Sequence, residues 1–162
     1  ELAQEELIKE LTPLPEVKLS RREREEYVLR FFAYLNNYQN FGQSVQKFLR
    51  EFIEEIDVNF DNQKSELKDI IDKTFIFVNN NFPCGFRRSK TVSIVSRVRF
   101  EALAVGIALA LKENPALATM RNINVEWAFQ DEFLSMIRSD ASNSRPKVVT
   151  RIEYVKNKLL GT

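Results

Sequence analysis

Of the four glycines and five prolines in this sequence, all but Gly106 fall between stretches in which apolar residues recur every three to four positions. The residues that break helices punctuate the chain, and what lies between them has the period of amphipathic helix. The pattern predicts an all-α fold: a single orthogonal or irregular bundle of about six to seven helices around a buried central helix over 94–112. With 162 residues, 44% of them hydrophobic, the chain is long enough for one filled core and short for two domains, so 1–162 reads as one helical domain.

A short first helix ends at Thr12-Pro-Leu-Pro15. Ser20 and Glu23 have capping-box spacing and predict the next helix from there to about Asn37. That helix carries two adjoining stripes: Val28, Phe32 and Leu35, then Tyr27, Phe31, Tyr34 and Tyr38. Helices follow over about 44–57 (Val45, Phe48, Leu49, Phe52, Ile53, Ile56) and about 62–82 (Leu67, Ile70, Ile71, Phe75, Val78, Phe82), the latter stopped by Pro83. The helix over 94–112 is apolar almost all round, and Ala102, Gly106 and Ala110 at four-residue spacing predict a close crossing with another helix. A helix over about 126–138 is followed by the loop Ser139-Asp-Ala-Ser-Asn-Ser144. A last helix then has Pro146 in its first turn, a stripe of Val148, Ile152, Val155 and Leu159, and Gly161 at its C-terminal cap.

The net charge of +1 conceals a division. Residues 1–72 carry 10 basic and 16 acidic side chains, residues 73–162 carry 14 and 7. Residues 73–100 hold Lys73, Arg87, Arg88, Lys90, Arg97 and Arg99 and no acid. Such a patch is the electrostatic footprint of phosphate binding; neutralisation by the acidic half of the same chain is the alternative. The loop before the last helix adds the hydroxyls of Ser139, Ser142 and Ser144 beside Arg145, Lys147 and Arg151. Hydroxyls and amides at a helix N-terminus suit a phosphate, although plain capping of the helix explains them too.

The absence of histidine removes histidine-based catalysis and histidine metal sites, the HNH nuclease and the serine triad among them. A lone Cys84 forms no intrachain disulfide and fits a reducing, cytoplasmic setting; as a nucleophile it would need an activating partner. Glu66-Leu-Lys68 has the Glu-x-Lys form of some metal-dependent nucleases, but on a helix it reads as solvated surface, as do Glu54-Glu55 with Asp57 and Asp131-Glu132. No catalytic residue, metal ligand or cofactor is therefore expected. The longest apolar run, Ala102 to Leu111, has ten residues, about half of what a bilayer needs, so no membrane contact is expected. The acidic opening, Glu1-Leu-Ala-Gln-Glu-Glu-Leu, lacks the basic head of a signal peptide and reads as part of a longer protein. The stripe of Tyr27, Phe31, Tyr34 and Tyr38 has three readings: a base-stacking platform, a docking surface for another domain or a second copy, or core.

Glu26-Tyr-Val-Leu-Arg-Phe-Phe-Ala-Tyr34, Arg97-Val-Arg-Phe-Glu-Ala-Leu-Ala-Val-Gly106, and Ser139-Asp-Ala-Ser-Asn143 with Arg151-Ile-Glu-Tyr-Val155 occur in this order. Together they resemble the C-terminal helical region of bacterial proteins with a ParB/sulfiredoxin-like N-terminal domain, the domain-of-unknown-function group that includes the GmrSD-type modification-dependent restriction enzymes. The family's Asp-Gly-Gln-Gln-Arg motif, linked to nucleotide hydrolysis and DNA cleavage, is absent here, as is its appended HNH nuclease. The resemblance implies the C-terminal helical module of a longer protein, without the family's chemistry; the first reading is that it holds DNA, or positions it, for the N-terminal domain of the same protein in phage defence. The resemblance also implies that Arg30, Arg99 and Glu101 are structural; an arginine among Leu29, Phe31 and Phe32 needs a carboxylate, and Glu101 is the expected partner of Arg30. The alternative is a structural, protein-interaction or oligomerisation module that never meets nucleic acid.

Overall fold

The structure is a computed structural model that describes all residues except 20, 21, 43, 59, 139–143 and 162. Eight α-helices occur among the described residues: α1 (Glu6–Leu11), α2 (Glu16–Leu19), α3 (Glu23–Asn37), α4 (Val45–Asp57), α5 (Phe60–Asn81), α6 (Arg97–Glu113), α7 (Asp131–Met136) and α8 (Arg145–Leu160). They contain no strand, and the fold is all-α. Short 3-10 turns link several of the helices.

Local chemistry sets most of the ends. Ser44 accepts the Lys47 amide at 3.3 Å and caps α4. Pro146 opens α8, and Gly161 closes it in the left-handed region (φ 76°). Ser20, expected to start α3, lies outside the described residues; the helix begins at Glu23, after Arg22 at φ 57°. Glu23, Glu25 and Glu26 in its first turn complement the helix dipole. The single helix expected over 126–138 is broken. A 3-10 turn (Glu126–Phe129) gives way to α7 at Gln130, whose backbone is extended. The Ala128 carbonyl, which a continuous helix would bond to its own fourth residue on, instead accepts Arg99 Nη1 at 2.8 Å.

α6 is the central helix: every residue from Arg99 to Leu111 except Leu109 is buried. It packs against α8, α3 and α5. Gly106 marks the closest crossing, since a Cβ there would stand 2.6 Å from Val155 Cβ and 2.8 Å from the Ile152 carbonyl on α8. Only a residue without a side chain lets the two backbones approach so nearly.

α3, α6 and α8 all run in the same sense. Along α6, Arg97 pairs with Glu23 and Glu26 and Glu101 with Arg30, so its start lies beside the start of α3. Against α8, Glu101 meets Arg151, Gly106 meets Ile152 and Val155, and Glu113 meets Lys156. α6 and α8 therefore run alongside each other from Glu101 and Arg151 onward. Among the described residues no helix is long and apolar enough to cross a membrane.

Candidate functional site

Two charged features stand out, one inside and one outside. The inner one is built where α3, α6 and α8 meet. Glu101 sits on α6 with its two oxygens divided between helices: Oε1 accepts Arg30 Nη1 of α3 at 2.6 Å, and Oε2 accepts Arg151 Nη2 of α8 at 3.0 Å. Glu26, one turn before Arg30, accepts Arg30 Nε at 2.8 Å and Nη2 at 2.7 Å. Burial alone would lower the affinity of Arg30 for its proton, but the Glu101 and Glu26 carboxylates outweigh it and raise its pKa above the ordinary arginine value. Two carboxylates thus balance two arginines in charge, while Nε and Nη1 of Arg151 are buried without a hydrogen-bond partner among the described residues.

Arg99, two residues earlier on α6, has no carboxylate. Its Nε donates to the Phe86 carbonyl at 3.0 Å and its Nη1 to that of Ala128, while its guanidinium lies 5.1 Å from the Phe129 ring and 5.6 Å from that of Phe133. Burial pulls it down to about 10, which still leaves it charged at neutral pH. It pins the loop after α5 and the 3-10 turn before α7 onto the start of α6. All these contacts are made inside the fold.

The stripe of Tyr27, Phe31, Tyr34 and Tyr38 is core, which corrects its reading as an interface. All four rings are buried. Tyr27 packs edge-on against Phe100 and donates to the Val95 carbonyl at 2.7 Å; Tyr34 stacks on Phe41; and the Tyr38 hydroxyl bonds to Glu153. Arg151 is likewise withdrawn from the expected anion surface. It is 0% exposed and committed to Glu101, so it has no face to offer a phosphate. Its spacing held the signal, because Val148, Arg151, Ile152 and Val155 share one helical face. Arg97, 44% exposed, is held by Glu23 at 3.2 Å and Glu26 at 3.8 Å, which is the neutralisation that the charge division allowed for.

The outer feature is what remains. Arg88 and Lys90 are exposed on the loop that leads into α6, and Arg145 and Lys147 on the first turn of α8. Arg87 is half-buried, its Nε turned to the Cys84 carbonyl at 3.3 Å. None of these five forms an ion pair with a described residue within 4.0 Å. Ser144 caps α8 without a side-chain hydrogen bond, as Ser96 caps α6. Ser139 and Ser142 lie outside the described residues. Among the described residues no group of three or more histidine, cysteine, aspartate or glutamate side chains could hold a metal ion. Cys84 is buried.

No family model, curated protein or solved structure matches the chain.

Proposed function

We propose that this chain is a non-catalytic helical module that holds nucleic acid by its backbone and positions it for a catalytic domain of the same protein. The observation that carries the reading is that Arg88 and Lys90, on the loop leading into α6, and Arg145 and Lys147, on the first turn of α8, are exposed and form no ion pair with a described residue. The N-termini of these two helices add partial positive charge. Nothing in the arrangement would discriminate bases, so the contact is with phosphates. The resemblance of three ordered segments to the C-terminal region of GmrSD-type proteins supports a setting in phage defence, and a buried, lone Cys84 is compatible with the cytoplasm. The chemistry is assigned to the other domain; the isolated chain is expected to cleave neither nucleotide nor DNA.

The test is the salt dependence of duplex DNA binding by the purified chain. Each phosphate contact contributes a slope of about −0.9 in log affinity against log salt. Replacing Arg88, Lys90, Arg145 and Lys147 by glutamine should weaken binding alike for all sequences and flatten that slope by several of these increments. A variant that binds as the parent does, or a parent that does not bind DNA, would remove the reading.

A further inference from the structure

Cys84 stands in the tight turn that follows α5. The turn is fixed on both sides of it: the Gly85 amide donates to the Phe82 carbonyl at 3.0 Å with Gly85 in the left-handed region (φ 56°), and the Cys84 carbonyl accepts the Arg87 amide at 3.1 Å and Arg87 Nε at 3.3 Å. Arg99 lies against the same turn through its Nε bond to the Phe86 carbonyl. It is 1% exposed and forms no ion pair with a described residue within 4.0 Å. With Nε and Nη1 given to carbonyls, its Nη2 is buried with no hydrogen-bond partner among the described residues. A buried guanidinium without a counter-charge is costly. Burial lowers its pKa most and Arg88 lowers it further, whereas ionised Cys84 raises it. Cys84 is thus an anion-forming side chain within electrostatic reach of a buried cation that lacks one.

We infer that Cys84 is a peroxide-sensitive thiol whose oxidised, anionic form is held by Arg99 Nη2. Reactive cysteines occupy electropositive surroundings, and the segment from Lys73 to Phe100 has six basic residues and no acid. An exposure of 8% suits an oxidant close to water in size. The thiolate sulfur attacks one oxygen of hydrogen peroxide: the S–O bond forms, the O–O bond breaks, and the departing hydroxide takes up the proton that the thiol released and leaves as water. Sulfur loses two electrons and peroxide gains them. This sequence holds no second cysteine to join the sulfenic acid in a disulfide, so a second peroxide oxidises it in the same way to the sulfinic acid, which ionises to sulfinate. The sulfinate brings the negative charge and the acceptor oxygens that Nη2 lacks. A buried thiol is ordinarily inert; the uncompensated guanidinium sets this one apart.

The experiment exposes the full chain to dilute hydrogen peroxide, folded and unfolded in urea at one pH, and follows Cys84 by the mass gained in its peptide. Oxidation should be at least about tenfold faster in the folded chain. An inert buried thiol does the reverse, reacting only once it is unfolded, so an equal or slower folded rate overturns the inference. Arg99→Gln should remove the folded advantage, and an advantage that survives that change overturns it too. The second measurement needs no change at Arg99 and decides the matter even if that variant folds poorly. Oxidised parent should melt higher than reduced parent, because the guanidinium gains its counter-charge. Cys84→Ser treated alike accounts for oxidation of Met120 and Met136. A midpoint that Cys84 oxidation lowers or leaves unchanged would show that Arg99 does not hold the product.

Discussion

Glu101 on α6 and Arg151 on α8 meet at 3.0 Å in the interior, and the other oxygen of the same carboxylate holds Arg30 of α3. One buried acid thus ties three helices together. Removing it would leave Arg151, which is 0% exposed, without a partner and Arg30 held by Glu26 alone, and breaking a buried pair in this way costs about 3–5 kcal/mol. Glu101→Gln is expected to lower unfolding free energy by that amount in urea titrations. Replacing the cluster together, Arg30→Met with Glu101→Leu and Arg151→Met, should cost less than Glu101→Gln alone, because apolar groups of similar volume need no partners. A triple variant less stable than the single one would show that the cluster contributes net stability.

Gly106 gives a prediction with a contested sign. Alanine is favoured over glycine in a helix by about 1 kcal/mol. Against that, the new methyl would meet Val155 Cβ at 2.6 Å and, less avoidably, the Ile152 carbonyl at 2.8 Å. A backbone atom cannot rotate away, so the two helices must separate, and overpacking of this kind costs about 1–3 kcal/mol. Gly106→Ala is expected to be destabilising overall, with a lower thermal midpoint; an unchanged or raised midpoint would mean that the crossing is looser than the distances imply.

The crossing at Gly106 was legible from three small residues at four-residue spacing on the most apolar helix, although the sequence could not say which helix crosses there. Three other features were not legible, each for a physical reason. An aromatic stripe looks the same whether its cover is another part of the chain or a partner, so Tyr27, Phe31, Tyr34 and Tyr38 could be read as surface until Phe100, Phe41 and Glu153 were found against them. Arg151 sits beside Arg145 and Lys147 in sequence, but a helix turns it about 100 degrees per residue onto the buried face. The break at Gln130 has no proline or glycine to announce it, and the Ala128 carbonyl is taken up by Arg99, 29 residues away. The common direction of α3, α6 and α8 is set by long-range pairs such as Arg30–Glu101 and Glu101–Arg151, which no local period encodes.

Alkaline pH should unfold the chain through its buried phenols. Burial pushes Tyr27 from 10.0 up to about 12, and it raises Tyr34 as well. A raised folded pKa means that the unfolded chain releases its proton first, so this stabilisation is complete below pH 10 and is lost as pH rises through about 12. Arg99 acts in the opposite direction: its lowered pKa means the unfolded chain holds that proton longer, which adds stability above about pH 10. Two phenols against one guanidinium leave a net loss. Circular dichroism against pH is expected to show unfolding coincident with phenolate absorbance. Tyr27→Phe should move that transition to higher pH, while neutral-pH stability falls by about 1 kcal/mol with the lost bond to the Val95 carbonyl.

The two halves of α5 should differ in how often they open. Amide exchange reports local opening, and the free energy of opening scales with the buried contacts that must be broken. Ile71, Phe75, Phe77 and Val78 tie the inner half to the core, and Asn81 adds hydrogen bonds to the Phe77 and Met120 carbonyls at 3.0 and 3.2 Å. From Phe60 to Ile70, among the described residues, half-buried Leu67 and Ile70 oppose fraying, with the ion pairs of Lys64 and Lys68 to Glu1 and Glu5 and those of Lys68 to Asp72 and Asp69 to Lys73. Exposed pairs contribute about 0.2–1 kcal/mol each, and an isolated helix of fewer than about 12 residues is marginal in water. Amides of residues 61–70 are therefore expected to exchange at least about a hundredfold faster than those of 72–81, a difference of about 2.8 kcal/mol in opening free energy. Uniform protection along α5 would mean that contacts beyond these hold the outer half.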